Sequence, residues 1–216
     1  MKVLLLNPGQ MGSALGAALA TNNDTGWVSK GRGALSRTRA AAAKLRDFAL
    51  LEEALAAVDV VFSVVPPQSA QATAETVASS GFTGAYVDAN AVSPATAGRV
   101  AAIVTAGGAR YVDGGIIGPP PRERGDTRLY LAGPGAQDVA ALLDGSLFEA
   151  VALDETPGST AASSLKMAYA GWTKASSALL LNVRAMARAQ GVEEALLKEW
   201  SLSLPDLPER SARTAK

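Results

Sequence analysis

Val3-Leu4-Leu5-Leu6-Asn7-Pro8-Gly9-Gln10-Met11-Gly12, followed directly by Ser13-Ala14-Leu15-Gly16, decides how the rest of the chain is read. An apolar run of Val and Leu breaks at Asn7-Pro8-Gly9 and passes into small residues at helical spacing, the order of strand, tight turn and helix. Gly9 would let backbone come close to a pyrophosphate, and Gly12 would let the helix lie near the strand. The free N–H groups of the helix start would then face the anion. The full pattern is Gly-x-Gly-x-x-Gly, and here Asn7 holds its first place while Gly9 and Gly12 fill the other two. Asn accepts positive φ more readily than most non-glycine residues, which keeps the turn possible. An ordinary glycine-containing strand-to-helix turn is the competing reading.

Beyond this unit the strand and helix patterns alternate. Residues 25–29 read as a second strand and 34–45 as an Ala-rich helix with Ser36 as an internal cap. A short helix is expected over 51–58, and a continuous apolar strand over 59–65 that stops at Pro66-Pro67. A helix over 69–79, a strand over 85–88, a helix opened by Pro94 and a strand over 110–113 follow. Strands apolar throughout, separated by helices, favour an α/β fold: a Rossmann-type, doubly wound, mostly parallel sheet covered on both faces. Residues 119–126 form a turn-rich loop, and 127–132 a strand extending the sheet edge. The sequence predicts a dinucleotide-binding domain over 1–156 and an all-helical C-terminal domain over 157–216, with Pro157-Gly158 at the boundary. That second part opens with a long helix over 159–190, in which Leu165, Trp172, Leu179 and Met186 recur at intervals of seven, a seam that calls for a partner. A helix beginning at Glu193 and a polar tail after Pro205 and Pro208 complete the chain.

The 216 residues carry zero net charge and 48% hydrophobic residues, enough to bury a sizeable core. No charge excess points to nucleic acid or membrane, and no run approaches a membrane span, so a cytoplasmic protein is expected. The sequence contains neither Cys nor His. Disulfides, thiolate or imidazole metal sites, Cys nucleophiles and His acid–base chemistry are thereby excluded, and an enzyme built on this chain must move protons with Lys, Tyr, Asp or Glu.

In folds of this kind an acidic residue about 20 positions past the glycines binds the ribose 2′-hydroxyl of NAD. Here Ser29-Lys30-Gly31-Arg32 occupies that neighbourhood, and its cations suit a 2′-phosphate, so NADP(H) is favoured over NAD(H). Arg37 and Arg39 would also be more comfortable near an anion, and for all three arginines a solvated basic surface on an Ala-rich helix is the competing reading. Lys166, near the start of the long helix and sharing a face with Tyr169, is the candidate proton carrier if the boundary at Pro157-Gly158 aims this helix into the cleft; a solvated surface lysine is the competing reading. Two segments, Asp88-Ala89-Asn90-Ala91-Val92-Ser93-Pro94 and Asp113-Gly114-Gly115-Ile116-Ile117-Gly118-Pro119, are expected to begin at strand carboxyl ends, where open α/β sheets hold ligands. Asn90 and Ser93 could meet nicotinamide ribose or substrate, and backbone around Ile117 and Gly118 could approach a carboxylate. Ordinary turn chemistry accounts for the same residues equally well.

Taken together, these segments resemble the β-hydroxyacid dehydrogenase superfamily, the group of 6-phosphogluconate and 3-hydroxyisobutyrate dehydrogenases. Asn7-Pro8-Gly9-Gln10-Met11-Gly12 is similar to its Gly-Leu-Gly-x-Met-Gly turn, and Tyr111-Val112-Asp113-Gly114-Gly115-Ile116 to the start of its substrate motif. Gly158 through Lys166 is similar to the segment bearing its catalytic lysine. The phrases Asp88-Ala-Asn-Ala-Val-Ser-Pro, Gly118-Pro-Pro-Pro and Leu165-Lys-Met-Ala-Tyr-Ala look most like a bacterial branch related to phosphogluconate dehydrogenase with its own C-terminal domain.

The resemblance implies cofactor contacts at Gly9, Gln10, Met11, Gly12, Ser29, Arg32, Val65, Pro66 and Asn90. It implies substrate contacts at Ser93, Ile117, Gly118 and Tyr169, catalysis by Lys166, and no metal. Ile117 stands where better-studied members place a Ser, and Tyr169 where they place an Asn. The implied activity is hydride transfer between NADP(H) and a small hydroxy acid or its carbonyl form. An imine reductase and a non-catalytic dinucleotide-binding protein are the alternatives. Relatives continue with further helices, so a shortened helical domain is expected, with a homodimer formed through the long helix.

Overall fold

The opening run becomes β1 (Lys2–Leu5), and the glycine turn delivers the chain into α1 (Gln10–Leu19), in a computed structural model that describes residues 1–214. The alternation continues through β2 (Asp24–Val28), α2 (Ala34–Ala42), β3 (Arg46–Phe48), α3 (Leu51–Ala57), β4 (Val60–Ser63), α4 (Ala70–Ser79), β5 (Ala85–Asp88) and α5 (Pro94–Ala106). Then come β6 (Arg110–Ile117), β7 (Thr127–Ala132), α6 (Ala136–Ala141) and β8 (Phe148–Asp154). The eight strands form one sheet in the order β3-β2-β1-β4-β5-β6-β7-β8. Strand order reverses direction between β1 and β4, the point at which such sheets open a crevice for ligands.

Pairing is parallel from β3 across to β6, antiparallel between β6 and β7, and parallel again between β7 and β8. The antiparallel step follows from chain length: the short connection over 118–126 holds no crossover helix, and only an antiparallel neighbour can be reached that way. Alternate side chains of the central strands feed two cores. Val3, Leu5, Val60 and Phe62 pack with Leu15, Leu19 and Ala40 on one face, while Leu4, Val61 and Tyr86 pack with Leu55, Val77 and Val100 on the other. Both faces of these strands are buried, which is why they read as unbroken apolar runs.

Several expectations are corrected. Ser36 is not a cap: α2 starts from Gly33, and Ser36 lies inside its first turn with its N–H on the Gly33 carbonyl at 3.1 Å. β7 is not the sheet edge, because β8 pairs outside it with Arg128 and Glu149 bridged at 3.1 Å. The Asp113 segment does not begin at a strand end: β6 runs on to Ile117, and its glycines are strand residues. A Cβ on Gly114 would meet Ala89 backbone at 3.1 Å, so the missing side chain serves close packing rather than a turn.

The chain divides into two units, one running through Met167 and one starting at Ala168. The opening turns of α7 (Ala161–Ala189) belong to the sheet unit. The second unit holds the rest of α7 with α8 (Glu193–Ser203) and α9 (Leu207–Thr214). The segment expected to be a polar tail is therefore helical, with Pro208 tolerated in the first turn where no N–H partner is required. Within this unit Glu193 accepts from Arg184 at 2.7 Å and from Arg188 at 2.7 Å, joining α7 to α8, and the Arg184 guanidinium also donates to Ser211 of α9 at 3.1 Å. Trp172, Leu179 and Met186 of the heptad seam are each more than 60% exposed. No helix among the described residues is long and apolar enough to cross a membrane.

Candidate active site

The turn after β1 is built differently from the expected tight positive-φ turn. Among described non-glycine residues only Lys44 has positive φ, so Asn7 uses no left-handed backbone. Its role is lateral: Nδ2 donates to the Val64 carbonyl at 3.3 Å, tying the carboxyl end of β1 to that of β4 across the reversal point. Gly12 is sterically required, because a Cβ there would lie 2.0 Å from the Asn7 carbonyl oxygen. Gly9 faces open space, with only Asn7 Nδ2 within reach of an added Cβ, at 3.7 Å. Gly9 is the N-cap of α1, so this opening adjoins the first N–H groups of the helix, which have no carbonyl one turn back to bind.

On one side of this opening a cavity of about 310 Å³ is lined by Leu6, Val28, Leu51, Val65 and Val77, with Lys30, Arg32 and Glu52 among the polar residues of its wall. Apolar walls with a few charges at the rim are what a flat heterocycle attached to a phosphorylated sugar needs. The Arg32 guanidinium reaches back over the end of β1, donating to the Leu6 carbonyl at 3.0 Å and to Asn7 Oδ1 at 3.5 Å. Ser29 is buried, and its carbonyl accepts from the Arg32 N–H and from the Arg37 guanidinium, both at 3.1 Å. The sequence-derived cluster of Ser29, Lys30 and Arg32 is thus a compact unit beside the glycine turn.

On the other side lies a second cavity, of about 210 Å³, lined by Met11, Val64, Val65, Asn90, Ile116, Gly118 and Lys166 among others. Five residues singled out from sequence, spread from position 11 to 166, meet here. Asn90 is almost fully buried: Oδ1 accepts from the Val65 N–H at 2.7 Å, and Nδ2 donates to Ser63 Oγ at 3.0 Å and to Asp88 Oδ1. It therefore locks the β4 and β5 ends together and fixes the cavity wall at Val65. Lys166 Nζ donates to the Ile116 carbonyl at 2.6 Å, which holds the ammonium at the cavity edge.

Other candidates lie elsewhere or do other work. Ser93 is exposed and caps α5, accepting from the Thr96 N–H at 3.2 Å. Ile116, one residue from the expected Ile117, lines the cavity; successive strand residues face opposite sides. Pro67 rather than Pro66 lines it as well. Tyr169 is half exposed and belongs to the second unit.

Sequence reasoning missed the anchor beneath the lysine. Asp113, fully buried in β6, accepts from the Ser163 N–H at 2.7 Å and Ser163 Oγ at 2.6 Å, one turn before Lys166. Burial pushes the Asp113 carboxyl above its ordinary range, against the pull of those bonds to Ser163. Asp88, in register beside it on β5, is pushed up to about 6, chiefly by burial, and its Oδ2 has no hydrogen-bond partner among the described residues.

No family model and no curated protein matches this sequence. Solved structures do match over nearly the whole chain. One is a conserved protein of unknown function whose structure revealed similarity with 3-hydroxyacid dehydrogenases: TM-score 0.80, 25% identity, covering 99% of this chain and 81% of that one. Another is the 3-hydroxyisobutyrate dehydrogenase of Mycobacterium tuberculosis with L-serine, at 0.74 and 15% identity, covering 94% of this chain and 70% of that one. A third is a reductive aminase from Aspergillus terreus in complex with NADPH and ethyl levulinate, at 0.71 and 21% identity, covering 99% and 74%. The architecture is thus that of the 3-hydroxyacid dehydrogenases: a Rossmann-type sheet followed by a helical C-terminal region.

Proposed function

We propose that the protein is an NADP(H)-dependent oxidoreductase that interconverts a small hydroxy acid and its carbonyl form, with Lys166 carrying the proton. The observation that supports this most is the cavity shared by Met11, Val65, Asn90, Gly118 and Lys166, one opening away from the glycine turn. The residues fit a nicotinamide dinucleotide: the space over Gly9 and the α1 N-terminus suits its diphosphate, the larger apolar cavity its adenosine, and Lys30 with Arg32 a 2′-phosphate. NADPH is bound by the Aspergillus terreus reductive aminase of similar fold. When bound, the nicotinamide supplies or accepts the hydride.

The rest of the chemistry falls to the chain. Lys166 Nζ delivers a proton to the substrate oxygen as a carbonyl is reduced and removes it when an alcohol is oxidised. The Ile116 carbonyl holds that nitrogen in place, and Asn90 keeps the opposite wall from yielding. Backbone at Gly118 is open to a substrate carboxylate.

The test is to titrate the protein with NADPH and NADH by fluorescence, then to follow cofactor absorbance over keto acids, aldehydes and cyclic imines. NADPH should bind about tenfold tighter than NADH, with Arg32→Ala removing most of the difference. Reduction should favour keto acids. Turnover confined to imines would make the protein an imine reductase, and tight binding with no turnover across the panel would make it a non-catalytic dinucleotide-binding protein.

A further inference from the structure

We propose that the substrate carries a second anionic group, a carboxylate or a phosphate, and that the cleft between α1, α2 and the β6–β7 loop receives it through Arg39 and Arg122. The inference rests on the reading above, in which the substrate reacts beside Lys166. A cleft of about 660 Å³ is lined by Gln10, Arg39, Pro119, Arg122 and Asp126. Its lining adjoins that of the smaller cavity at Lys166 along the chain: Gln10 directly precedes Met11 at the start of α1, and Pro119 directly follows Gly118. A molecule held with its reacting carbon near Lys166 has this direction in which to extend, because the cavity at Lys166 falls below the roughly 300 Å³ at which ligand pockets begin.

The charges in the cleft favour an anion. Arg39, half-buried at the last turn of α2, and Arg122, on the loop, come from separate elements to one cleft. Neither guanidinium makes a hydrogen bond or ion pair among the described residues. The acid in the same wall, Asp126, is committed to the loop: Oδ2 accepts the N–H groups of Arg122 at 2.9 Å and Glu123 at 3.0 Å. Those N–H bonds, with the nearby Arg122 guanidinium adding to them, hold the Asp126 carboxyl below its ordinary range, so two cations face the cleft against one carboxylate charge.

The loop is stiff as well as charged. Pro119, Pro120 and Pro121 fix three successive φ angles, and Thr127 Oγ1 closes the base of the loop on the Pro119 carbonyl. Gly118, at φ +128 and with Asp126 O 2.3 Å from where a Cβ would stand, admits only glycine at the hinge between the two cavities. A rigid arm presents Arg122 at low ordering cost, the condition under which a charged contact adds specificity.

The experiment compares 2-oxoglutarate with 2-oxopentanoate, keto acids of equal length that differ in the distal carboxylate, in NADPH-dependent reduction by the full chain and by Arg39→Ala and Arg122→Ala. The wild type should favour 2-oxoglutarate in kcat/KM by about tenfold, and each variant should shrink that ratio by about fivefold. An unchanged ratio overturns the proposal. So does a parallel rise in the Kd for NADPH, which would assign the two arginines to the dinucleotide's diphosphate. If neither keto acid is reduced, the wider substrate panel still tests the catalytic reading, and calorimetric titration of malonate into the NADPH complex decides this proposal alone. Malonate binding that Arg122→Ala weakens upholds it, and absence of binding overturns it.

Discussion

Asp113 accepts two hydrogen bonds from Ser163, at 2.7 Å from the backbone N–H and 2.6 Å from Oγ, and so fixes the first turn of α7 to the middle of β6. Three residues further on in each element, Lys166 Nζ meets the Ile116 carbonyl. The lysine is thereby held at two points of one strand. Removing the hydroxyl with Ser163→Ala should cost about 1 kcal/mol. Thermal melting should show a fall in Tm of about 3 °C. The same variant should lower kcat more than it raises KM, since a looser helix misplaces the proton carrier without removing a binding contact. A Tm loss with unchanged kcat would restrict the pair to a stabilising role.

Gly115 gives a sharper version of the same test. A Cβ there would lie 2.6 Å from the Ala162 carbonyl oxygen and 3.3 Å from Lys166 Cβ, so Gly115→Ala must lift the helix off the strand. Overpacking of this kind costs about 1–3 kcal/mol, and the displaced ammonium should lose about tenfold or more in kcat. Melting and steady-state kinetics on one preparation check both. Full activity in the variant would show that the close approach of α7 to β6 is not needed for proton transfer.

Lys166→Ala should remove the proton carrier and slow reduction by about 10²–10⁴-fold. NADPH binding, measured separately by fluorescence, should persist, because the open surface over Gly9 and the cavity at Arg32 do not include this side chain. Turnover that survives the substitution would assign proton transfer to another group.

What could be read from the chain and what could not follow a physical division. The place of the turn over 7–12, though not its backbone conformation, and the bounds of β5 and β7 are legible, because Pro, Gly and apolar residues mark them locally. β3, α6 and β8 were not: β3 is three residues long with two of them charged, and β8 is a half-exposed edge strand whose Glu149 faces solvent. Such strands exist through pairing with a neighbour, which no local pattern records. Lys166, Asn90 and Gly118 stand out in the sequence, and the fold gathers them at one cavity. Their actual partners were hidden, because Asp113 and Ser163 lie 50 positions apart and Asn90 and Val65 lie 25 apart. Asn90, expected to touch a ligand, lines the cavity while its amide binds Val65, Ser63 and Asp88.

Asp88 supplies a pH dependence whose sign follows from its surroundings. Burial, with the neighbouring Asp113 adding to it, raises its carboxyl from an ordinary 3.8 to about 6 in spite of the bonds from Asn90. Between those two values the folded protein holds more protons than the unfolded chain, so this residue makes stability fall as pH rises through the window. The loss is on the order of 3 kcal/mol when the carboxyl is fully ionised. Asp113, raised in the same direction, acts with the same sign. Asp88→Asn keeps an Oδ1 acceptor for Asn90 and removes the ionisation. The Tm of the variant relative to wild type should therefore climb by about 5 °C between pH 4 and pH 7. Melting curves of the two proteins at half-unit steps would read this directly, and a difference that stays flat over the window would mean that Asp88 is ionised at little cost despite its burial.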